Sequence, residues 1–470
     1  MSFIIYDIML LILFAIFASI FLYVKRKNLK REGLLFLYRT KWGIKLINYI
    51  GKKCNKGLKI LSYVSIGLGY ILMLGMLYLF GKIFWIYIFN QDVVRAIKVP
   101  PIMPLIPYID KVVPFLPSFY FIYWVIILAV IAIPHEFAHG IFAAYKKIKI
   151  KTTGFGFFPF FFPVFPLAFV ELDEKKMAKK SKFSQMAVLS AGTFANILTA
   201  ILFFGILWLF FSLAFSPAGV QFDSYSYSIV EVASISLMNG VTLDNPSYEK
   251  FVSLAGNNSL NNITANGKNY VGIKGFFADN EKYVQLYDDD PAINSGLNGA
   301  ITEINEIKIN EVEKLKEEIL KYSPGEKVII KTETKEESLE YEIVLGENPE
   351  NKSLPWLGIG FENYEGSGIT GKIFIALSSF KKPHIYYEPK LDGISMFVYN
   401  LLWWIILISI SVALVNMLPM GIFDGGRFFY LTVFALTKSE RKAKHAFSFL
   451  TYLILFSLLL LMIFWFLSFR

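Results

Sequence analysis

The sequence predicts a polytopic α-helical membrane protein with about six transmembrane helices and an inserted extracytoplasmic α+β domain. Three observations predict it. The chain is 55% hydrophobic and 17% aromatic but only 18% charged, too apolar and charge-poor for an ordinary soluble protein. Its apolar residues gather in stretches long enough to cross about 30 Å of hydrocarbon. One region, residues 218–392, is polar instead, rich in Asn, Asp, Glu and Lys with short β-branched runs.

The apolar stretches are Phe3–Val24, Leu61–Phe89, Phe119–Tyr145, Phe183–Phe215, Ile394–Leu418 continuing to Thr437, and Ala446–Phe469. The first has neither a basic leader nor a small-residue cleavage site, so it reads as a retained helix. Between Lys25 and Lys59 stand twelve Lys or Arg against one acid, Glu32, which predicts a cytoplasmic loop and an N-terminus on the other side. Alternation then places the Lys146–Lys182 and Lys438–Lys444 blocks on the cytoplasmic side as well, and the polar region outside it. The net charge of +10 sits in these blocks beside apolar segments, where it marks loops and anionic headgroups of a cell-membrane bilayer rather than a nucleic-acid partner. The expected organisation is a first helix and basic loop over 1–60, helices over 61–217, a soluble domain over 218–362, an extracytoplasmic linker over 363–392, and closing helices over 393–470.

Lys151–Glu174 is unusual. It is rich in phenylalanine from Phe155 to Phe169 and carries Pro159, Pro163 and Pro166, which rule out a spanning helix. Unpaired backbone does not face lipid, so this piece is expected to lie at the interface or to fold back as a hairpin or re-entrant loop over 150–174, with a strand edge that receives substrate as the sharper alternative.

The chemistry is carried by few residues. The single cysteine, Cys54, excludes a cysteine zinc cage, and the only histidines are His135, His139, His384 and His445. His135 and His139 stand in His-Glu-Phe-Ala-His within an apolar span, four residues apart and so on one helix face, where two imidazoles reach one Zn²⁺. Glu136 beside them is placed to take a proton from an attacking water as general base. A tetrahedral catalytic site needs a third protein ligand. His384 and His445 fall in outer and cytoplasmic segments. Asp424 is the better candidate: it belongs to Asn416-Met-Leu-Pro-Met-Gly-Ile-Phe-Asp-Gly-Gly426, a polar interruption where Pro419, Gly421, Gly425 and Gly426 permit unwinding, and a buried carboxylate there calls for a cation. The alternative is an aspartate in a helix-breaking cytoplasmic loop.

An intramembrane His-Glu-x-x-His with a distant Asn-x-x-Pro-x-x-x-x-Asp-Gly resembles the site-2 protease family of zinc metalloproteases. The resemblance implies that His135, His139 and Asp424 hold Zn²⁺, that Glu136 is catalytic, and that Asn196, in the span after the zinc motif, orients substrate backbone or stabilises an oxyanion. Asn416 either binds substrate or holds the unwound turn. Gly421-Ile-Phe before Asp424 departs from the family's shorter, more aliphatic stretch, and the first two spans lie outside its minimal catalytic core. In the polar region, Asp290-Pro-Ala-Ile-Asn-Ser-Gly-Leu-Asn-Gly-Ala-Ile-Thr-Glu-Ile-Asn305, followed by an amphipathic helix from Val312 and two strands, is similar to PDZ domains, which dock peptides as an added strand. The implied function is zinc-dependent intramembrane proteolysis of membrane proteins that present a transmembrane helix. Two other readings stay open: a membrane-anchored zinc enzyme with a soluble catalytic domain, and a non-enzymatic zinc-binding receptor or transporter.

Overall fold

A computed structural model describes residues 3–32, 35–97, 99–101, 103, 105–111, 113, 116–158, 165–255, 260–273, 282–334, 337–362 and 368–468. The chain divides into two compact units, residues 1–209 with 397–470, and residues 210–396. In chain order the elements up to the unit boundary are α1 (Phe3–Val24), β1 (Leu29–Glu32), β2 (Leu35–Thr40), α2 (Ile44–Lys53), α3 (Asn55–Phe89), α4 (Gln91–Ile97), α5 (Phe121–Tyr145), β3 (Ile150–Phe158), β4 (Phe165–Leu172), α6 (Glu174–Ala178) and α7 (Lys182–Ala214). There follow β5 (Phe215–Val220), β6 (Ser224–Tyr225), β7 (Tyr227–Glu231), β8 (Ile235–Met238), β9 (Val241–Thr242), α8 (Tyr248–Leu254), β10 (Asn261–Ala265), β11 (Lys268–Gly272), β12 (Tyr283–Asp288), α9 (Pro291–Asn294), β13 (Ala300–Ile304), β14 (Ile307–Lys308), α10 (Val312–Ile319), β15 (Lys327–Glu333), β16 (Ser338–Val344), β17 (Gly346–Glu347), β18 (Pro355–Trp356), β19 (Ile359–Gly360), α11 (Gly368–Ser378) and β20 (Ile385–Pro389). The chain closes with α12 (Asp392–Asn416), α13 (Asp424–Thr437) and α14 (Glu440–Leu467).

Six helices, α1, α3, α5, α7, α12 and α14, are long and apolar enough to cross a membrane. Helices are the form an apolar stretch takes in lipid, because each backbone donor finds its acceptor within the same segment. The apolar stretch from Ile394 to Thr437 is interrupted at the Pro419 and glycine positions that permit unwinding. Helix α12 ends at Asn416, a turn of single hydrogen bonds runs through Leu418, Pro419 and Met420, and α13 restarts at Asp424.

Between spans, small and polar residues set the contacts, as expected where lipid and side chain are equally apolar. The Ser190 hydroxyl of α7 lies 3.2 Å from that of Ser65 on α3. Gly69, one turn further along α3, lets Ser190, Met417 and Phe428 close around it. Helix α3 is thus packed into the same core as α7 and α13. Helix α5 is buried on another side by α12, through Tyr123, Trp124 and Ile127 against Trp404, Ile405 and Ile408.

The phenylalanine- and proline-rich segment is a hairpin: β3 and β4 pair antiparallel, with Phe155 opposite Ala168 and Thr153 opposite Val170. Residues 159–164, with Pro159 and Pro163, lie outside the described residues. The basic loop after α1 supplies two further strands, and the sheet runs β1-β2-β3-β4, with Tyr38 opposite Phe155. Helix α2 of the same loop packs on α5 through Ile47 and Gly51.

In the second unit, the region expected to hold one domain forms two six-stranded sheets with separate cores. One has the order β7-β12-β11-β10-β8-β9 and closes over Val230, Met238, Phe251 of α8, Ile263 and Leu286. The other has the order β16-β15-β13-β5-β20, with β14 on β13, and closes over Leu297, Ile301, Leu315 of α10, Ile330 and Ile343. Strand β15 alternates as a half-buried strand does, with Val328, Ile330 and Thr332 inward. The stretch expected as a linker, 363–392, contains α11 and β20, and β20 pairs along β5 from Phe215 to Val220.

Candidate metal centre

His135 and His139 sit one turn apart on α5, both buried, with Nε2 atoms 3.1 Å apart. The carboxylate of Asp424 closes the group: its Oδ2 is 3.2 Å from His139 Nε2 and 3.7 Å from His135 Nε2. Ligand atoms on a tetrahedron of radius about 2.0–2.1 Å lie about 3.3 Å apart, so these three atoms fit three corners of one zinc-sized polyhedron. Two imidazoles and a carboxylate are also a donor set that zinc accepts. Among the described residues, this is the group of ligating side chains gathered closely enough for one ion.

The broken helix delivers the carboxylate. Asp424 is the first residue of α13, and Gly425 and Gly426 behind it pass so close to the main chain of Met417 and Met420 that a Cβ on either would collide with it. A continuous helix from α12 would carry Asp424 two turns past the break.

Helix α7 forms the opposite wall. A Cβ on Gly192 would meet His139 Nε2 and stand 2.5 Å from His135 Nε2, so this position is empty of side chain where the imidazoles converge. The main-chain carbonyl of Val188, one turn earlier, accepts from His139 Nδ1 at 2.7 Å. That bond places the proton on Nδ1 and turns the Nε2 lone pair toward the group. His135 Nδ1 is buried and has no hydrogen-bond partner among the described residues. Asn196 stands one turn beyond Gly192 on α7, fully buried, and among the described residues neither of its amide atoms has a hydrogen-bond partner. A helix-packing hydrogen bond, the ordinary reason for such a residue, is therefore missing.

Glu136 faces the sheet. Its Oε2 accepts from the backbone N–H of Val170 on β4 at 2.9 Å. β4 is one of the two edge strands of the sheet, and successive residues of a strand turn their N–H and C=O groups to opposite sides, so Ala168 directs its own to the same side as Val170.

The far end of α5 is held by an acid inside the first span. Asp7 is buried, and its carboxylate accepts from the N–H groups of Phe121 at 2.6 Å and Ile122 at 3.0 Å and from the Tyr108 hydroxyl at 2.8 Å. The two N–H groups are orphan donors at the positive end of the motif helix, satisfied from another helix. An aspartate in an otherwise apolar span was the available signal in the sequence. Gly192 carries a signal too, as the small residue one turn before Asn196 in Ser190-Ala-Gly-Thr-Phe-Ala-Asn196.

The remaining candidates lie elsewhere. His384 pairs with Asp223 at 2.9 Å in the second unit, and His445 is exposed with Nδ1 at 2.7 Å from Arg441 O. Asn416 is half-buried as the last residue of α12, at the start of the turn that ends in Asp424.

A family model described as peptidase family M50 matches residues 123–461, which hold His135, Glu136 and His139 of α5, the whole of the second unit and the Asp424 turn. The chain belongs to peptidase family M50, the site-2 protease family. An uncharacterized protein of Methanocaldococcus jannaschii is 33% identical over 196 residues, 40% of this chain and 48% of that protein. The chain thus matches about half the length of that relative. The M50 match begins within α5, so α1 and the sheet hairpin β1–β2 precede the part that carries the family signature.

Proposed function

We propose that this chain is a zinc-dependent endopeptidase that hydrolyses peptide bonds in transmembrane segments of membrane proteins. The observation that carries the reading is the convergence of His135, His139 and Asp424 within a bundle of apolar helices, with Glu136 beside them and hydrogen-bonded to an edge strand. Zinc held by these three residues would supply Lewis acidity toward the scissile carbonyl and the attacking water. Glu136 takes a proton from that water as its oxygen adds to the carbonyl carbon, and delivers it to the nitrogen as the C–N bond breaks. The unpartnered Asn196 amide is the group available to donate to the carbonyl oxygen or hold the substrate main chain.

A helical substrate hides its carbonyls in its own hydrogen bonds, so the segment must unwind before cleavage. The outward N–H and C=O groups of β4 offer an extended segment the partners it loses on unwinding. The charge blocks of the sequence support an extracytoplasmic second unit. We read the sheet built on β13, β15 and β16, with α10, as a PDZ-like module that docks peptide ends of the substrate.

The test is a purified, membrane-reconstituted protein assayed for zinc content and for cleavage of a membrane-inserted model helix. Glu136→Gln is expected to keep zinc and lose cleavage. Continued cleavage by that variant would overturn the mechanism, and stoichiometric zinc with no hydrolysis by the unaltered chain would favour a receptor or transporter.

A further inference from the structure

The mechanism leaves unused an apolar hollow of about 160 Å³ beside α5, bounded by Phe14 of α1, Trp124, Leu128, Ala132 and Ile133 of α5, Phe155 of β3 and Ala168 of β4. Its size follows from sequence: alanines at 129, 132 and 168 leave the room, and Phe14 and Trp124 flank it. It adjoins the small cleft that holds Glu136, since Ile133, Phe155 and Ala168 line both. Ala129, Ala132, Ile133 and Glu136 fall at i, i+3, i+4 and i+7, a single face of α5, so the hollow lies along that face about 4.5–10 Å from Glu136.

From this we infer that the hollow is a specificity pocket that receives one large apolar side chain of the unwound substrate segment and so sets which bond is cut. The inference rests on the peptidase reading. The volume is that of an apolar cavity that accepts a benzene ring, about 150 Å³. Among the described residues the lining carries no charged side chain, so it selects by size and apolarity. An extended segment lying along β4 advances about 3.3 Å per residue, which puts the selected side chain two or three residues from the scissile bond. Ala168 on β4 and Val170, whose N–H meets Glu136, lie two residues apart on one strand, so a segment following that edge passes both the pocket and the base.

The experiment uses the full-length reconstituted protein and a series of membrane-inserted model helices in which a single phenylalanine is moved stepwise through an alanine- and leucine-based span, with products mapped by mass spectrometry. The expected result is a cut that follows the phenylalanine at a fixed offset of two or three residues. Ala132→Phe, which fills the pocket, is expected to lower the ratio of cleavage with phenylalanine to cleavage with alanine at that position by about tenfold or more. Phe155→Ala, which enlarges it, shifts preference toward tryptophan and serves where Ala132→Phe does not fold. A cut that ignores the position of the phenylalanine, or variants that scale all substrates alike, would overturn the pocket while leaving the peptidase reading standing; such a hollow would hold a lipid chain instead. Failure of the unaltered protein to cut any helix of the series would remove the peptidase reading, and this inference with it.

Discussion

Gly192 on α7 faces His139 on α5 so closely that a single methyl group at position 192 would occupy the space in front of the imidazole nitrogen. Gly192→Ala is therefore expected to push both imidazoles apart while changing nothing else in the helix, since alanine is the better helix former. Metal affinity should fall by about tenfold or more, the scale seen when groups that orient ligands are altered. Metal analysis of the purified variant after dialysis checks this, with normal metal content as the contrary result.

Asp424→Asn keeps the shape of the side chain and removes its charge. Zinc retention is expected to drop sharply, because two neutral imidazoles and an amide hold a dication more weakly than two imidazoles and a carboxylate. Gly425→Ala should do the same with Asp424 intact, since its Cβ would collide with the Met417 carbonyl and displace the first turn of α13. Matched metal loss in both variants supports Asp424 as ligand; full zinc in Asp424→Asn would exclude it.

Asp7→Ala removes the acceptor for two main-chain donors and a tyrosine hydroxyl. Leaving such donors buried and unpaired costs about 1–3 kcal/mol. The melting temperature in detergent should fall accordingly. Asp7→Asn, which keeps one oxygen, should fall between the two proteins.

The sheet carries a pH-dependent contribution. Burial pulls the Glu171 carboxyl upward, but Arg39 at 3.0 Å, Thr152 at 2.8 Å and Lys151 at 3.4 Å outweigh it and hold it below the usual carboxylate range. A value depressed by folding adds stability above the unfolded value, about 4.3, and that stability is lost as pH falls through the folded value. The side chains are partly exposed, so the contribution is at most about 1 kcal/mol. Subtracting the thermal-stability profile of Glu171→Gln from that of the unaltered protein should leave a difference that is flat above about pH 5 and shrinks below it. A difference that grows on acidification would contradict the assignment.

Much of this was legible in the sequence because the signals are local. Uniform apolarity fixes a spanning helix without reference to any partner, as in Phe3–Val24. The His135–His139 spacing needs only one helical turn, and Pro419 with its glycines announces the break before Asp424. What was hidden depends on partners distant in the chain. The basic loop gives no sign that Phe36 will pair with Phe157, since β2 is too short and too mixed to declare its edge. Asp7 could be seen as anomalous but not matched to Phe121. The two cores of the second unit were merged because turn residues recur throughout 224–345, and the return of β20 to β5 leaves no trace in either strand's composition.

The order of the chain has a consequence for its own synthesis. A ribosome releases His135, Glu136 and His139 together, and then must translate the whole of the second unit and α12 before Asp424 emerges. Through that interval the growing polypeptide carries only two of the three residues proposed to hold zinc. On the proposed reading, the chain becomes competent for hydrolysis only once α12 and the turn after it have been made.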